Sequence, residues 1–122
     1  MKKLLAVILL GVVLFTLALG SQAIAAVECP PDLANFPKGD AAAGAQVFGG
    51  KCVACHRNGG NIVKRNKTLK PDALEKYNMY SAKAIITQVT CGKGVMPQFG
   101  KQFTEEQIAN VAAYVLQQAD KW

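Results

Sequence analysis

The chain has 122 residues, with fourteen Lys and Arg against eight Asp and Glu, a net charge of +6 at pH 7. That length holds one small domain and not two. The basic excess is mild, and no single-sign block, internal repeat or low-complexity tract accompanies it, which excludes a nucleic-acid-binding footprint.

The amino terminus reads as an export signal. Lys2 and Lys3 precede an apolar run, Leu4 to Leu19, broken only by Gly11 and Thr16, and Ala23-Ile24-Ala25 offers the small residues of a cleavage site. This pattern predicts a cleaved secretory signal over residues 1–25. The alternative is an uncleaved anchor, since the run approaches the ~20 apolar residues that span a bilayer. No Arg-Arg pair precedes it, so the route is the general secretory one, which carries unfolded chains. Without Lys2 and Lys3 the remaining 97 residues, 26–122, carry +4, and no stable membrane insertion is expected of them.

Residues 26–38 hold Pro30, Pro31 and Pro37 among scattered polar residues and read as an irregular extension. The compact domain, 39–122, begins at Gly39. Asp40 offers a cap for a helix through about Gly49, with Ala41, Gly44, Ala45 and Phe48 on one face. Pro71 suits the first turn of a short helix ending near Tyr77, with Asp72 and Glu75 close to its start. Ser81 caps a third helix, on which Ala82, Ile85, Ile86 and Val89 share a side, ending towards Gly92 and Gly94. Thr104 with Gln107 forms a capping box ahead of the clearest stripe, Ile108, Val111, Ala112, Val115, Leu116 and Ala119. No stretch alternates with period two, so the domain is expected to be all-α. Between Arg57 and Lys70 runs a long segment without a helical stripe, a length that is unusual unless the loop has a task. Wrapping one edge of a bound ring would supply one.

Cys52-Val53-Ala54-Cys55-His56 matches C-x-x-C-H, the attachment sequence for c-type haem. Two thiols at this spacing add across two vinyl groups, and the adjacent histidine then points its imidazole at the iron. A thioredoxin-type pair wants a βαβ setting that is absent, and zinc would need further Cys or His ligands. Cys52 and Cys55 are therefore the candidate attachment residues for one covalent haem, and His56, the chain's one histidine, the candidate iron ligand.

A second axial ligand should be a soft donor, and only Met79 and Met96 lie beyond the export signal. Met96 sits in Gly94-Val95-Met96-Pro97, where proline fixes the backbone, and is favoured. Met79 lies 23 residues after His56 between two helices and reads as packing. A His/Met pair fills both axial positions, so the iron changes charge with little rearrangement and the thioether raises the potential. That describes an electron carrier more than a catalyst, so no enzyme activity is expected; a monomer is expected separately. A haem enzyme or gas-binding module would need an open iron position.

Gly44-Ala45-Gln46-Val47-Phe48, Lys67-Thr68-Leu69, Ala73-Leu74-Glu75-Lys76-Tyr77, Ala84-Ile85-Ile86-Thr87-Gln88-Val89, Gly92-Lys93-Gly94, Met96-Pro97 and Val111-Ala112-Ala113-Tyr114-Val115-Leu116 closely resemble cytochrome c6, the soluble photosynthetic cytochromes of cyanobacteria and algae. The match spans about Gly39 to Trp122. The resemblance implies a class I cytochrome c fold of about four helices around one haem and a thylakoid-lumen or periplasmic location. It further implies electron transfer from the cytochrome b6f complex to photosystem I, sometimes to a terminal oxidase. Carried over by position, Cys52 and Cys55 match the thioether sites, His56 the proximal ligand and Met96 the distal one. Gln88 matches a glutamine beside the haem that tunes its potential; Gly44, Phe48 and Tyr114 match the crossing of the first and last helices.

Three positions depart from the family pattern. The family commonly has an arginine, used in docking to photosystem I, at the position of Gln102, where only the neighbouring Lys101 offers a charge. Cys91 stands where asparagine is usual, and the extension bearing Cys29 is longer than the family's usual start. The alternative function is a respiratory carrier of the same fold serving a terminal oxidase. Arg57, Lys64, Arg65, Lys67 and Lys70 make the long loop basic, either as a solvated surface or as an electrostatic guide to an acidic partner. Cys29 and Cys91 are spare thiols in an exported chain, and a disulfide between them is one reading. The other is a mobile tail thiol and a small buried residue. Lipid attachment at Cys29 lacks the small preceding residues it needs, since Val27 and Glu28 stand there.

Overall fold

The computed structural model describes residues 29–122; the export signal read over 1–25 lies outside the described residues. Four helices organise the chain. The first, α1 (Ala41–Val47), starts where the Asp40 carboxylate accepts hydrogen bonds from the backbone N–H groups of Ala42 and Ala43 at 2.7 and 3.3 Å, satisfying two of the orphan donors of a helix start. Helix α2 (Pro71–Lys76) has its proline in the first turn. Helix α3 (Ala82–Cys91) begins at Ser81, whose hydroxyl accepts from Ala84 N at 3.2 Å, and stops at Gly92, where φ is +65°. Helix α4 (Glu105–Gln118) opens on the reciprocal bonds of Thr104 and Gln107, 3.0 and 3.2 Å. The described residues contain no strand, only an isolated bridge between Lys93 and Met96, and no helix among them is long and apolar enough to cross a membrane.

One boundary differs from the sequence expectation. The helical path does not stop at Gly49 but continues as a wide π turn, Phe48–Cys52, and a last α turn, Val53–His56. Glycine in a helix costs only about 1 kcal/mol relative to alanine, and burial of Phe48, 5% exposed, with half-burial of Cys52 holds the path together. The π turn has a structural result: it rotates the residues after it by the extra residue and carries Cys52, Cys55 and His56 onto the side that Phe48 already faces.

The core is the seam between α1, α3 and α4. Phe48, Ile85, Ile86, Val89, Ile108, Val111, Ala112 and Val115 form its buried cluster. Phe48 packs on Tyr114 and on Trp122 with ring centroids 5.2 and 5.5 Å apart, at separations that favour tilted and offset aromatic pairs. Trp122 also covers Gly59, where a Cβ would lie 2.5 Å from the indole; its ring thus braces the loop that follows the C-x-x-C-H segment. Where α1 crosses α4, a Cβ on Gly44 would sit 2.0 Å from the carbonyl oxygen of Asn110. The two backbones meet there without a side chain between them. Gly44→Ala should therefore destabilise the domain by roughly 3 kcal/mol through overpacking; a urea-unfolding midpoint equal to that of the parent would show that the crossing has slack.

Residues 29–38 are irregular apart from a single 3₁₀ turn, Leu33–Asn35, capped by Asp32. Leu33 and Phe36 lie against the core. At the end of this segment the Asp40 N–H donates to Oδ1 of the buried Asn110 at 2.7 Å. Cys29 and Cys91 form a disulfide with their Cα atoms 5.7 Å apart. Of the two readings left open by the sequence, the structure shows the pair.

Candidate haem site

Between the Phe48–His56 turns that extend α1, the helices α2, α3 and α4, and the segments joining them lies an apolar cavity of about 520 Å³, within the range that encloses a cofactor. Cys52, Cys55, His56, Gln88 and Met96 all line it, so the candidate residues from three separate stretches of chain converge on one space. Its apolar walls come from Phe48, Leu69, Leu74, Ile85, Val89, Phe99, Val111 and Val115. Its charged lining is Lys51, Lys64, Lys67 and Lys93, with no carboxylate, a setting suited to a largely apolar ring that carries acid groups.

The donor set fits a haem c. Cys52 and Cys55 are not in a disulfide, although the spacing of two residues would let them be mistaken for a redox pair. Burial pushes the Cys52 thiol up to about 11, so the apolar wall disfavours a thiolate there, and a thioether, which does not ionise, suits that position. His56 Nδ1 lies 2.9 Å from the Gly60 carbonyl oxygen. That bond makes Nδ1 the protonated nitrogen and leaves Nε2 as the free donor for a metal. The turn producing it is local: Asn58 and Gly59 both have positive φ, 52° and 69°, and Gly60 N donates back to Arg57 O at 3.0 Å.

Met96 is presented by a tight turn. Gly92 and Gly94 have φ of +65° and +58°, and Lys93 and Met96 exchange backbone hydrogen bonds of 3.0 and 3.1 Å. A Cβ on Gly92 would lie 2.6 Å from the Met96 carbonyl oxygen, so glycine is required there both by conformation and by space. The Gln88 amide donates to Met96 Sδ at 3.5 Å, placing the two residues side by side. Met79 also lines the cavity, from the loop between α2 and α3, but has no comparable polar partner.

Sequence reasoning assigned the 57–70 loop to an edge of the ring without naming the residues that shape it. Asn61 does so: its Oδ1 accepts from Val63 and Lys64 N at 3.0 and 2.8 Å, and its Nδ2 donates to Lys67 O at 3.0 Å. Ile62 N donates to Cys55 O, tying the loop to the C-x-x-C-H motif, and Leu69 N donates to Gly59 O, closing the loop's far end back on its start. An asparagine after two glycines is an Asx-turn signal, and its partners are set by the fold.

A helical domain with a C-x-x-C-H segment facing an apolar cavity defines a c-type cytochrome. In keeping with that, the family described as "Cytochrome C oxidase, cbb3-type, subunit III" matches residues 39–115. The relatives narrow the class. Cytochrome c6 of Aphanizomenon flos-aquae is 65% identical over 81 residues, 66% of this chain and 93% of that protein. Cytochrome c6 of Nostoc sp. is 48% identical over 120 residues, 98% of this chain and 96% of that protein. The solved structure of cytochrome c6 from the diatom Phaeodactylum tricornutum superposes with a TM-score of 0.65 at 49% identity, covering 66% of this chain and 95% of the other. The chain belongs to the cytochrome c6 family, with the class I cytochrome c fold. Family membership makes it a haem c electron carrier with one covalently attached haem, and not an enzyme.

Proposed function

We propose that Cys52 and Cys55 hold the haem through thioethers, that His56 and Met96 ligate its iron, and that the chain carries electrons from the cytochrome b6f complex to photosystem I. The haem supplies reversible one-electron exchange when bound. The protein's own residues set the conditions for it. Gly60 fixes the His56 ring, the Lys93–Met96 turn holds the thioether in place, and Gln88 tunes the potential through its amide at Met96 Sδ. Export through the residue 1–25 signal, to the thylakoid lumen or periplasm, fits an all-helical chain whose haem is attached after secretion.

The observation that carries this reading is the convergence of the two cysteines, His56 and Met96 on one cavity that carries lysines and no carboxylates. Flash-induced oxidation of the purified protein by photosystem I particles tests it. Rapid, saturable oxidation is expected, and failure to react beside efficient oxidation by a terminal oxidase would move the protein to the respiratory role.

The same assay reads the electrostatics. Lys64 and Lys67 at the cavity and Arg57, Arg65 and Lys70 on the same loop are exposed, and exposed charges are screened beyond ~8 Å at physiological ionic strength. The second-order rate should fall as salt rises. A rate flat across salt would assign docking to the exposed apolar side chains Val63 and Val95 at the cavity and nearby Ile62. Gln102 bonds its own turn, to Gln98 O, so Lys101→Gln should slow the reaction if Lys101 serves in place of the absent arginine.

A further inference from the structure

The Cys29–Cys91 disulfide lies outside the haem cavity, yet one of its ends sits at the root of the methionine turn. Cys91 is the last residue of α3. It directly precedes Gly92, where an added Cβ would lie 2.6 Å from the Met96 carbonyl oxygen and 2.7 Å from the Pro97 carbonyl carbon. Three residues earlier on the same helix, Gln88 reaches Met96 Sδ. The other end, Cys29, is exposed, and Cys91 is half-buried, so a reagent can approach the bond from the Cys29 side. Among the described residues no hydrogen bond joins 29–38 to α3; the sulfur bridge is the direct bond between them. Among the described residues the buried Thr90 hydroxyl, one residue before Cys91, meets no protein hydrogen-bond partner.

We infer that this cystine is a second redox site of the chain, open to thiol exchange with a dithiol, small or protein-borne, and that opening it loosens the turn that presents Met96. A thiolate of the dithiol attacks Cys29 Sγ and forms a mixed disulfide, while the Cys91 sulfur leaves and takes up a proton. The second thiol of the reductant then attacks the mixed disulfide, closes its own disulfide and releases Cys29 as a thiol. Two electrons and two protons pass to the cystine, and the dithiol is oxidised. With the bridge open, α3's end keeps Phe99 N on Val89 O and Gly100 N on Thr90 O but loses its covalent hold on the extension. The consequence for Met96 rests on Met96 being the iron ligand; the exchange reaction does not.

The test uses the holoprotein. It is treated with dithiothreitol without denaturant, alkylated with iodoacetamide, freed of reagents and reoxidised at the haem, then compared with untreated protein and with the Cys29→Ser, Cys91→Ser double variant. Expected are two added alkyl groups by intact mass and, in the alkylated protein and the double variant, imidazole affinity for the ferric haem raised about threefold or more, as the fraction with Met96 displaced grows. Modification that requires denaturant overturns the exchange site. Imidazole affinity equal in all three proteins overturns the coupling to Met96. A methionine-sulfur charge-transfer band missing from the untreated protein overturns Met96 ligation and the coupling with it, while the mass result still judges the exchange site.

Discussion

Met96→Ala should leave the haem attached while lowering the reduction potential on the order of 100 mV or more, since axial ligands move haem potentials over about 0.8 V. Attachment is expected to survive because Cys52 and Cys55 belong to a different stretch of chain, at the end of the α1 path. The turn should also survive, because its closing bonds run between the backbones of Lys93 and Met96 and its shape depends on Gly92 and Gly94. What would be lost is the thioether proposed as the soft donor that favours the ferrous form. A sixth position without it should admit carbon monoxide to the ferrous protein and abolish the sulfur charge-transfer band of the ferric one. Redox titration and absorbance of the variant measure both. Unchanged spectra would transfer the ligand role to Met79, the other methionine lining the cavity.

The parts of this fold legible in the sequence are those set by bonds between near neighbours. Asp40, Ser81 and the Thr104–Gln107 box each satisfy backbone donors two or three residues away, so the starts of α1, α3 and α4 follow from a few residues each. The C-x-x-C-H pattern stands out in the sequence for the same reason, since its spacing is the one that covalent haem attachment requires. The continuation of α1 through Gly49 and Gly50 was not legible, because two glycines read as a stop and the force overriding them is tertiary, the burial of Phe48 against Tyr114 and Trp122. Trp122 over Gly59 and the three bonds of Asn61 are likewise contacts whose partners only the fold brings together. The cysteine pair lies between these cases. Export made a disulfide chemically sensible, but the 5.7 Å separation of positions 29 and 91 depends on how the extension, through Leu33 and Phe36, packs against the core, and no local pattern encodes it.

Removing that link with Cys29→Ala and Cys91→Ala should cost roughly 4 kcal/mol of stability, the loop-closure entropy restored to the unfolded chain by a bridge of this span. The bridge joins residues 62 apart, most of the described length, so few other single links would restrict the unfolded chain as much. The thioethers proposed at Cys52 and Cys55 would lie inside the loop but close only a few residues of it, leaving its effective length nearly intact. In a domain of this size such a loss should lower Tm by roughly 20 °C, while Leu33 and Phe36 remain available to pack on the core and the native fold is retained. Paired urea and thermal unfolding of the haem-loaded variant and parent measure the difference. A loss below about 1 kcal/mol would mean that the unfolded haem protein is already restrained, by residual structure around the attached ring, in the region the bridge spans.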